Sequence, residues 1–282
     1  MIPATFDYVR AESIDHAVAT LAEHGDEAKL LAGGHSLLPL MKLRLAAPAV
    51  LVDLGRIGAL RGVSETDDGL AIGAMTRHQD IIDDPLVREH CGVLAHVTEF
   101  VGDAQVRHRG TIGGALSHGD AAGDLPAVAL ALDATFVVQG PDTRREVAAA
   151  DFFVDYLETA IGDNEVLTEI RVPKLDEGWR WRYEKFVRVS QAWAIVGALA
   201  LVRRENGAIG EARVALTNMA TVPVRARTTE QMLSGAGHEA IRSAAEVAAE
   251  DTSPTEDLNA SAEYREHLAR VLTRRALEAA AS

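Results

Sequence analysis

Cysteine is almost absent from this sequence: Cys91 is the only thiol in 282 residues. A single thiol excludes an internal disulfide, a cysteine-rich zinc site and an iron–sulfur cluster held by this chain's own thiolates. An isolated cysteine in a globular protein is typically a small, inert core residue. We therefore expect Cys91 to be buried and unreactive.

Long apolar runs are also missing. The longest covers residues 192–202, which is far too short to span a bilayer. Residues 1–10 lack both the basic region and the apolar stretch of a signal peptide. We expect a cytoplasmic protein without an intrinsic membrane segment.

Positive charge is in deficit, because 28 Lys and Arg residues stand against 42 Asp and Glu residues, a formal net charge of −14 at pH 7. Such a surface repels phosphate backbones and anionic lipid, so neither nucleic-acid binding nor membrane attachment is expected. The composition, 48% hydrophobic and 25% charged, is that of an ordinary globular protein. A chain of this length forms one large domain or two modest ones.

The N-terminal part of the sequence alternates short helical and extended patterns. Ser13 is suited to begin an amphipathic helix, and Gly25 is suited to end it. Short apolar stretches bounded by Gly, Asp or Pro predict strands at residues 29–32, 50–54 and 70–74, and a hairpin of residues 135–139 and 145–148.

The composition of the sequence changes at Gly178, because all three tryptophans follow closely after it. Asn206-Gly207 tolerates positive φ at both positions and predicts a tight hairpin of residues 194–202 and 209–216. Two helices follow, over residues 238–250 and from Ser261 onward. The second carries an apolar stripe that fits either a core or an interface, formed by Tyr264, Leu268, Val271 and Leu272. We expect an α+β fold, divided near Asp176 into domains of residues 1–176 and 177–282.

Two glycine-rich loops are the main functional signal, since the sequence has no Gly-x-Gly-x-x-Gly fingerprint, no phosphate-loop lysine motif and no His-Glu-x-x-His. They cover residues 30–37 and 110–117, and each contains a Gly pair near a hydroxyl residue. Such loops expose consecutive backbone N–H groups that suit a diphosphate. Two of them, about eighty residues apart, are able to hold one diphosphate from both sides. The alternative is that each Gly pair forms only a tight turn.

Asp124 follows the second loop and precedes an apolar run, in the order Asp-x-Pro. It is either a functional acid or simply the N-cap of the next helix. A metal site built from His108, His118, Asp120 and Asp124 is not expected, because their spacing matches no ligand pattern.

With these motifs in place, the sequence resembles the FAD-binding medium subunits of the molybdenum hydroxylases, the xanthine dehydrogenase family. The resemblance is strongest to the medium subunits of aerobic carbon monoxide dehydrogenases. It runs through the whole chain, in residues 32–45, 50–54, 106–114, 124–126, 183–186 (Tyr-Glu-Lys-Phe), 216–218 and 262–265.

The resemblance implies an N-terminal FAD-binding domain of the vanillyl-alcohol-oxidase (PCMH) type and a smaller C-terminal α+β domain. It places FAD on this chain and implies no catalytic residue and no metal site. Lys185 is expected beside the flavin, where it raises the flavin potential, and Trp193 beside the isoalloxazine or at the lip of a core strand. The implied cofactor residues are Ala32, Gly33, Gly34, His35, Ser36, Leu37, Val101, Thr111, Ile112, Gly113, Gly114, Ala115, Ser117, Asp120, Asp124, Leu167, Lys185 and Trp193.

Two departures from the family pattern concern the side chains near FAD. Ala115 stands where the family usually has Asn, and Ala121 stands where it has Pro. Because phosphate contacts are expected mainly from backbone N–H groups, both changes are compatible with FAD binding.

The role implied is that of an electron-transfer subunit. A large subunit carries the molybdenum cofactor, a small subunit carries two [2Fe–2S] clusters, and FAD passes electrons to a quinone or another acceptor, in a dimer of heterotrimers. Three alternatives remain open: the same role in a hydroxylase for N-heterocycles, aldehydes or aromatic thioesters; a flavin-free scaffold subunit; and a self-sufficient flavin oxidase. The last is disfavoured because its substrate domain usually exceeds the residues available here.

Overall fold

The computed structural model describes residues 2–282. The chain begins with a three-stranded parallel sheet of order β1-β3-β2, accompanied by two helices. Its elements are β1 (Asp7–Arg10), α1 (Ile14–His24), β2 (Ala28–Leu31), α2 (Leu37–Leu43) and β3 (Val50–Asp53).

The predicted first helix is confirmed at both ends. The Ser13 side chain accepts a hydrogen bond from the N–H of His16 at 3.0 Å, and Gly25 ends the helix at φ 52°. The helix buries Ala17, Val18 and Leu21 in a small core under the parallel sheet.

A five-stranded antiparallel sheet of order β4-β5-β10-β6-β7 follows, with β10 at its centre. Helices α5, α7 and α8 share one hydrophobic core with this sheet. The elements are β4 (Val63–Glu65), β5 (Gly69–Gly73), α3 (His78–Asp83), α4 (Pro85–His90), α5 (Gly92–Thr98), α6 (Ala104–Arg107), α7 (Ile112–His118), α8 (Asp124–Ala131), β6 (Thr135–Gln139), β7 (Arg144–Ala148), α9 (Ala149–Phe152), β8 (Phe153–Asp155), β9 (Glu158–Thr159) and β10 (Val166–Pro173).

Cys91 lies in this core and is fully buried and unpaired. Burial raises the pKa of its thiol to about 12. The expectation of an inert core cysteine is therefore confirmed.

The C-terminal part is a four-stranded antiparallel sheet of order β11-β12-β13-β14, covered by helices. Its elements are β11 (Trp179–Phe186), β12 (Val196–Glu205), β13 (Ala208–Thr217), β14 (Val224–Arg225), α10 (Arg227–Leu233), α11 (Ile241–Glu246) and α12 (Ala262–Ala280). Asn206 and Gly207 turn the β12–β13 hairpin at φ 51° and 86°, so that prediction is confirmed.

Strand β12 is buried on both faces. Leu199 and Leu201 pack into the core of the five-stranded sheet, whereas Ala198, Ala200 and Val202 pack with α12 in a second core. Residues two apart share a face of a strand, so this alternation explains why the sequence reads as one continuous apolar run. The C-terminal sheet is therefore built against the N-terminal part of the chain.

The apolar stripe of the last helix forms core at two of its four residues. Leu268 and Leu272 are buried against the sheet, while Tyr264 is 43% exposed. The helix expected at residues 238–250 is shorter, a 3-10 turn at His238–Ala240 followed by α11. None of the helices that the structure describes combines the length and apolar character needed to cross a bilayer.

Candidate functional site

A cavity of about 810 Å³ lies between the parallel sheet, the five-stranded sheet and the start of the C-terminal sheet; we call it the main cavity. This volume is within the range of small-molecule and cofactor sites. Its walls come from both glycine loops, from residues 101–102 and 157–167, and from Lys185 and residues 191–193.

Seventeen of the eighteen residues that the family resemblance implies line the main cavity. The exception is Ile112, whose side chain is 1% exposed and lies in the hydrophobic core. Those that line the cavity are Ala32, Gly33, Gly34, His35, Ser36, Leu37, Val101, Thr111, Gly113, Gly114, Ala115, Ser117, Asp120, Asp124, Leu167, Lys185 and Trp193.

The first glycine loop presents unpaired backbone donors. Among residues 2–282, none accepts a hydrogen bond from the N–H groups of Gly33, Gly34, His35 or Ser36. Gly34 adopts φ 78°, a conformation that favours glycine. Four successive N–H groups without a protein acceptor are able to bind an anion such as a phosphate.

The second glycine loop differs from the sequence expectation, because the protein itself uses its donors. The N–H of Ile112 bonds to Thr76 O at 3.0 Å, and the N–H of Gly113 bonds to Ala74 O at 2.8 Å. Thr111 caps α7 by accepting from the N–H of Gly114 at 3.2 Å. The expectation of two loops with consecutive free N–H groups is thus wrong for the second one.

Close packing explains why two positions of these loops are occupied by glycine. A Cβ on Gly33 would collide with Arg109 O and lie 2.8 Å from the Cα of Gly110, so the first loop rests directly on the start of the second. A Cβ on Gly113 would lie 2.6 Å from Ala74 O. The two loops are therefore parts of one packed wall.

Asp124 does not cap its helix. Gly123 is the N-cap of α8 and makes no side-chain cap hydrogen bond. The carboxylate of Asp124 instead accepts from the Tyr183 hydroxyl at 2.6 Å and from Lys185 Nζ at 2.8 Å. The side chains of the Asp124–Lys185 ion pair are 5% and 7% exposed. Asp124 thus joins the N-terminal part of the cavity wall to strand β11.

Burial is the main influence on this cluster. It raises the pKa of Asp124, while the Lys185 cation and the Tyr183 hydroxyl act in the opposite direction. Burial, followed by the neighbouring Asp124 carboxylate, raises the pKa of Tyr183 well above its usual value. Tyr183 is therefore a neutral hydrogen-bond donor.

Two cations hold residues 99–102, of which Val101 and Gly102 line the main cavity. Arg107 Nη1 donates to the carbonyls of Glu99, Val101 and Gly102 at 3.2, 3.3 and 3.3 Å. Lys185 Nζ donates to the carbonyl of Phe100 at 3.1 Å. Sequence reasoning missed Arg107, because nothing in its neighbourhood shows that it donates to three earlier carbonyls.

Replacing Arg107 with Met is expected to loosen residues 99–102, because three carbonyls lose their charged donor. We expect faster hydrogen exchange of the peptide covering these residues and a loss of roughly 1–2 kcal/mol of unfolding free energy. Arg107→Lys should restore part of the protection, because it keeps a positively charged donor. The rescue should be incomplete, because an ammonium lacks the planar fork of a guanidinium. Arg109→Met is the matched control, because that side chain is exposed; equal exchange in both Met variants would contradict the role of Arg107.

Trp193, Ala115 and Ala121 differ in their exposure and in whether they line the main cavity. Trp193 is 59% exposed at the cavity rim, next to the buried Ala194 that precedes β12. Ala115 lines the cavity, whereas Ala121 is buried away from it and accepts the N–H of Asn218 at 2.7 Å through its carbonyl. Only the Ala115 departure from the family pattern therefore touches the cavity. No group of three or more potential metal ligands was found within residues 2–282.

Comparison with known proteins gives the class of this chain. Residues 4–175 match the FAD binding domain in molybdopterin dehydrogenase, and residues 181–280 match the CO dehydrogenase flavoprotein C-terminal domain. The chain therefore belongs to the FAD-binding subunits of the molybdopterin dehydrogenases, which are oxidoreductases. The α+β fold class and the family resemblance in the sequence are confirmed.

Individual relatives are similar over their whole length. The carbon monoxide dehydrogenase medium chain of Hydrogenophaga pseudoflava is 43% identical, over 99% of this chain and 98% of the relative. The structure of carbon monoxide dehydrogenase from the same organism, lacking the Mo-pyranopterin moiety of its cofactor, matches with a TM-score of 0.97 at 44% identity, over 99% of this chain and 98% of the other. The structure of quinoline 2-oxidoreductase from Pseudomonas putida 86 matches with a TM-score of 0.94 at 32% identity, over 100% of this chain and 98% of the other.

Proposed function

We propose that this chain is the FAD-carrying electron-transfer subunit of a carbon monoxide dehydrogenase. In this role it receives electrons from [2Fe–2S] clusters on a small subunit and passes them to a quinone or another acceptor. The observation that carries the proposal is the run of four unpaired N–H groups at Gly33–Ser36. They lie on the wall of a cavity of about 810 Å³ that Lys185 of the C-terminal sheet also lines.

The residues present fit FAD. The unpaired N–H groups of the first loop would hold the diphosphate, since backbone donors without a protein acceptor favour an anion. As the family resemblance implies, Lys185 of β11 would lie beside the flavin, and Asp124 would contact polar groups of FAD. Bound FAD supplies the conversion between one-electron and two-electron transfer, and the chain positions and tunes it.

The Lys185 cation is already paired with Asp124, which limits its effect on the flavin. An ion pair of zero net charge produces a weaker field at a distance than an isolated ammonium does. We therefore propose that Lys185 raises the flavin potential modestly and that its larger role is to fix Asp124 and Phe100 O in place.

The proposal also covers the substrate of the enzyme, the partner subunits and the cellular location. The relative in Hydrogenophaga pseudoflava is named a medium chain, which supports a large and a small partner subunit. As the family resemblance implies, the large subunit would carry the molybdenum cofactor and the small one the iron–sulfur clusters, in a dimer of heterotrimers. The quinoline 2-oxidoreductase match supports the same role for an N-heterocycle as the second candidate. A cytoplasmic location agrees with a single unpaired thiol.

A visible absorption spectrum tests the proposal. The chain is purified alone and with its co-expressed neighbouring subunits, and we expect flavin bands, with FAD released on denaturation. Iron–sulfur features should appear only in the co-purified sample. A colourless protein in both preparations would overturn FAD binding and leave the scaffold role.

A further inference from the structure

His78 is a buried polar side chain on the wall of the main cavity that the proposed function has not yet used. It is the first residue of α3, and its side chain is 3% exposed. Its Nδ1 atom is buried and has no hydrogen-bond partner in the part of the chain that the structure describes. A buried donor without an acceptor is unfavourable, so this unpaired nitrogen decides which tautomer of the ring is present.

The second glycine loop fixes the position of this ring. The N–H of His78 bonds to Gly110 O at 3.0 Å, and the next rung of the same pairing joins Ile112 N–H to Thr76 O. A Cβ on Gly110 would lie 2.8 Å from Cδ2 of His78 and 3.0 Å from Nε2. The edge of the ring that carries Nε2 therefore lies against Gly110.

Gly110 also contacts the first loop. The Cα of Gly110 lies 2.8 Å from where a Cβ of Gly33 would be, and Gly33 begins the run of unpaired N–H groups. Gly33, Gly110 and the His78 ring are thus successive layers of one wall. Nε2, unlike Nδ1, keeps some accessible surface and has no hydrogen-bond partner within residues 2–282, so it is the nitrogen that can face the main cavity, which the first loop also lines.

The charge state of His78 follows from its surroundings. Burial, the Arg107 guanidinium of α6 and His35 of the first loop together lower the pKa of His78 to about 4. The ring is therefore neutral near pH 7 and carries one N–H. A proton on Nδ1 would leave a buried donor unpaired, so we assign the proton to Nε2.

We propose, building on the FAD function above, that His78 is a binding residue that donates a hydrogen bond from Nε2 to the diphosphate of the cofactor. The first loop then supplies backbone donors from one side, and His78 supplies a side-chain donor from the second-loop side. This donor takes the place of the second-loop N–H groups, which bond to Thr76, Ala74 and Thr111.

Ligand titrations of two His78 variants test this role. His78→Leu removes the donor with little change in size, and His78→Gln retains an N–H near the position of Nε2. We expect the Leu variant to bind FAD and ADP roughly 10- to 100-fold more weakly, the value of a hydrogen bond to a charged group, and to bind riboflavin unchanged. The Gln variant should recover most of the affinity.

The matched control is His90→Leu, since His90 lies on α4 outside the cavity. The titrations use whichever form of the protein, alone or with its co-expressed subunits, binds FAD in the wild type. The cofactor-free Leu variant should be at least as stable as the wild type, because it loses an unpaired buried nitrogen. Nitrogen-15 spectra of labelled histidine should show the His78 Nε2 signal moving on addition of ADP.

The outcomes separate the two proposals. Failure of the wild type to bind FAD in any form overturns the FAD function and this inference with it. Binding by the wild type with equal FAD and ADP affinities in His78→Leu overturns the role of His78 alone. A matching loss of stability and affinity in both His78 variants, with no Nε2 shift, assigns the residue to packing and also overturns it.

Discussion

Replacing Lys185 with methionine is expected to lower the free energy of unfolding by about 3–5 kcal/mol. The reason is that Asp124 would keep its buried carboxylate without the cation 2.8 Å away, with only the Tyr183 hydroxyl as a donor. Removing one partner of a buried ion pair leaves an uncompensated charge. Chemical denaturation of the wild type and the variant measures this difference. Lys42→Met is the matched control, because Lys42 is exposed.

The loss of stability in Lys185→Met should grow as the pH rises above the usual pKa range of an aspartate. Burial already raises the pKa of Asp124, and loss of the cation removes the largest opposing influence. A carboxyl group whose folded-state pKa lies above its unfolded value contributes most below the unfolded pKa and loses that contribution as the pH rises. Adding Asp124→Asn to the Lys185→Met variant should recover part of the stability. A deficit independent of pH would contradict the assignment of the buried charge.

The Lys185→Met variant also tests whether Lys185 raises the flavin potential. The flavin potential of the FAD-loaded protein should fall when Lys185 becomes methionine, by an amount reduced through its pairing with Asp124. A spectroelectrochemical titration measures this potential. An unchanged value would rule out tuning by Lys185 and leave its structural role with Asp124 and Phe100 O intact.

Replacing Gly33 with alanine is the second large effect that we expect. The new Cβ would collide with Arg109 O and lie 2.8 Å from the Cα of Gly110, and both are backbone atoms that cannot rotate away. The two glycine loops must then separate. We expect a loss of roughly 1–3 kcal/mol of unfolding free energy, as for overpacking, and a drop in FAD affinity as the N–H groups of the first loop shift.

Gly58→Ala is the control for this substitution. A Cβ on Gly58 has nothing within 4 Å, and the residue does not have a positive φ. The control should match or slightly exceed the stability of the wild type. Thermal unfolding and FAD titration of both variants make the comparison. If Gly33→Ala retained full affinity, the contact between the loops would not be required for the cofactor site.

Local features of this protein could be predicted from the sequence because they depend on neighbouring residues. The Ser13 cap, the Gly25 stop and the Asn206-Gly207 hairpin follow from side-chain and φ preferences over a few positions. The glycine loops were recognisable for the same reason. The family resemblance then brought distant segments, such as Lys185, into the predicted site.

Three-dimensional packing corrected several of these expectations. From its neighbours alone, Asp124 fits a helix cap, but strand β11 brings Tyr183 and Lys185 to it from about sixty positions away. Ile112 lies within the second glycine-rich loop of the sequence, but its side chain is buried in the core. Neither result could be derived from spacing, because both depend on which face of an element meets a distant one.

The sequence by itself determined the ends of the first helix, the tight hairpin, the inert cysteine, the family and the positions of the two glycine loops. Only the tertiary structure decided which N–H groups remain unpaired, since the second loop's donors bond to Ala74, Thr76 and Thr111. It also decided that Arg107 and Lys185 hold residues 99–102 and that His78 lies beside Gly110. The physical reason is that a hydrogen bond or a close packing contact depends on atoms within a few ångströms, whatever their separation along the chain.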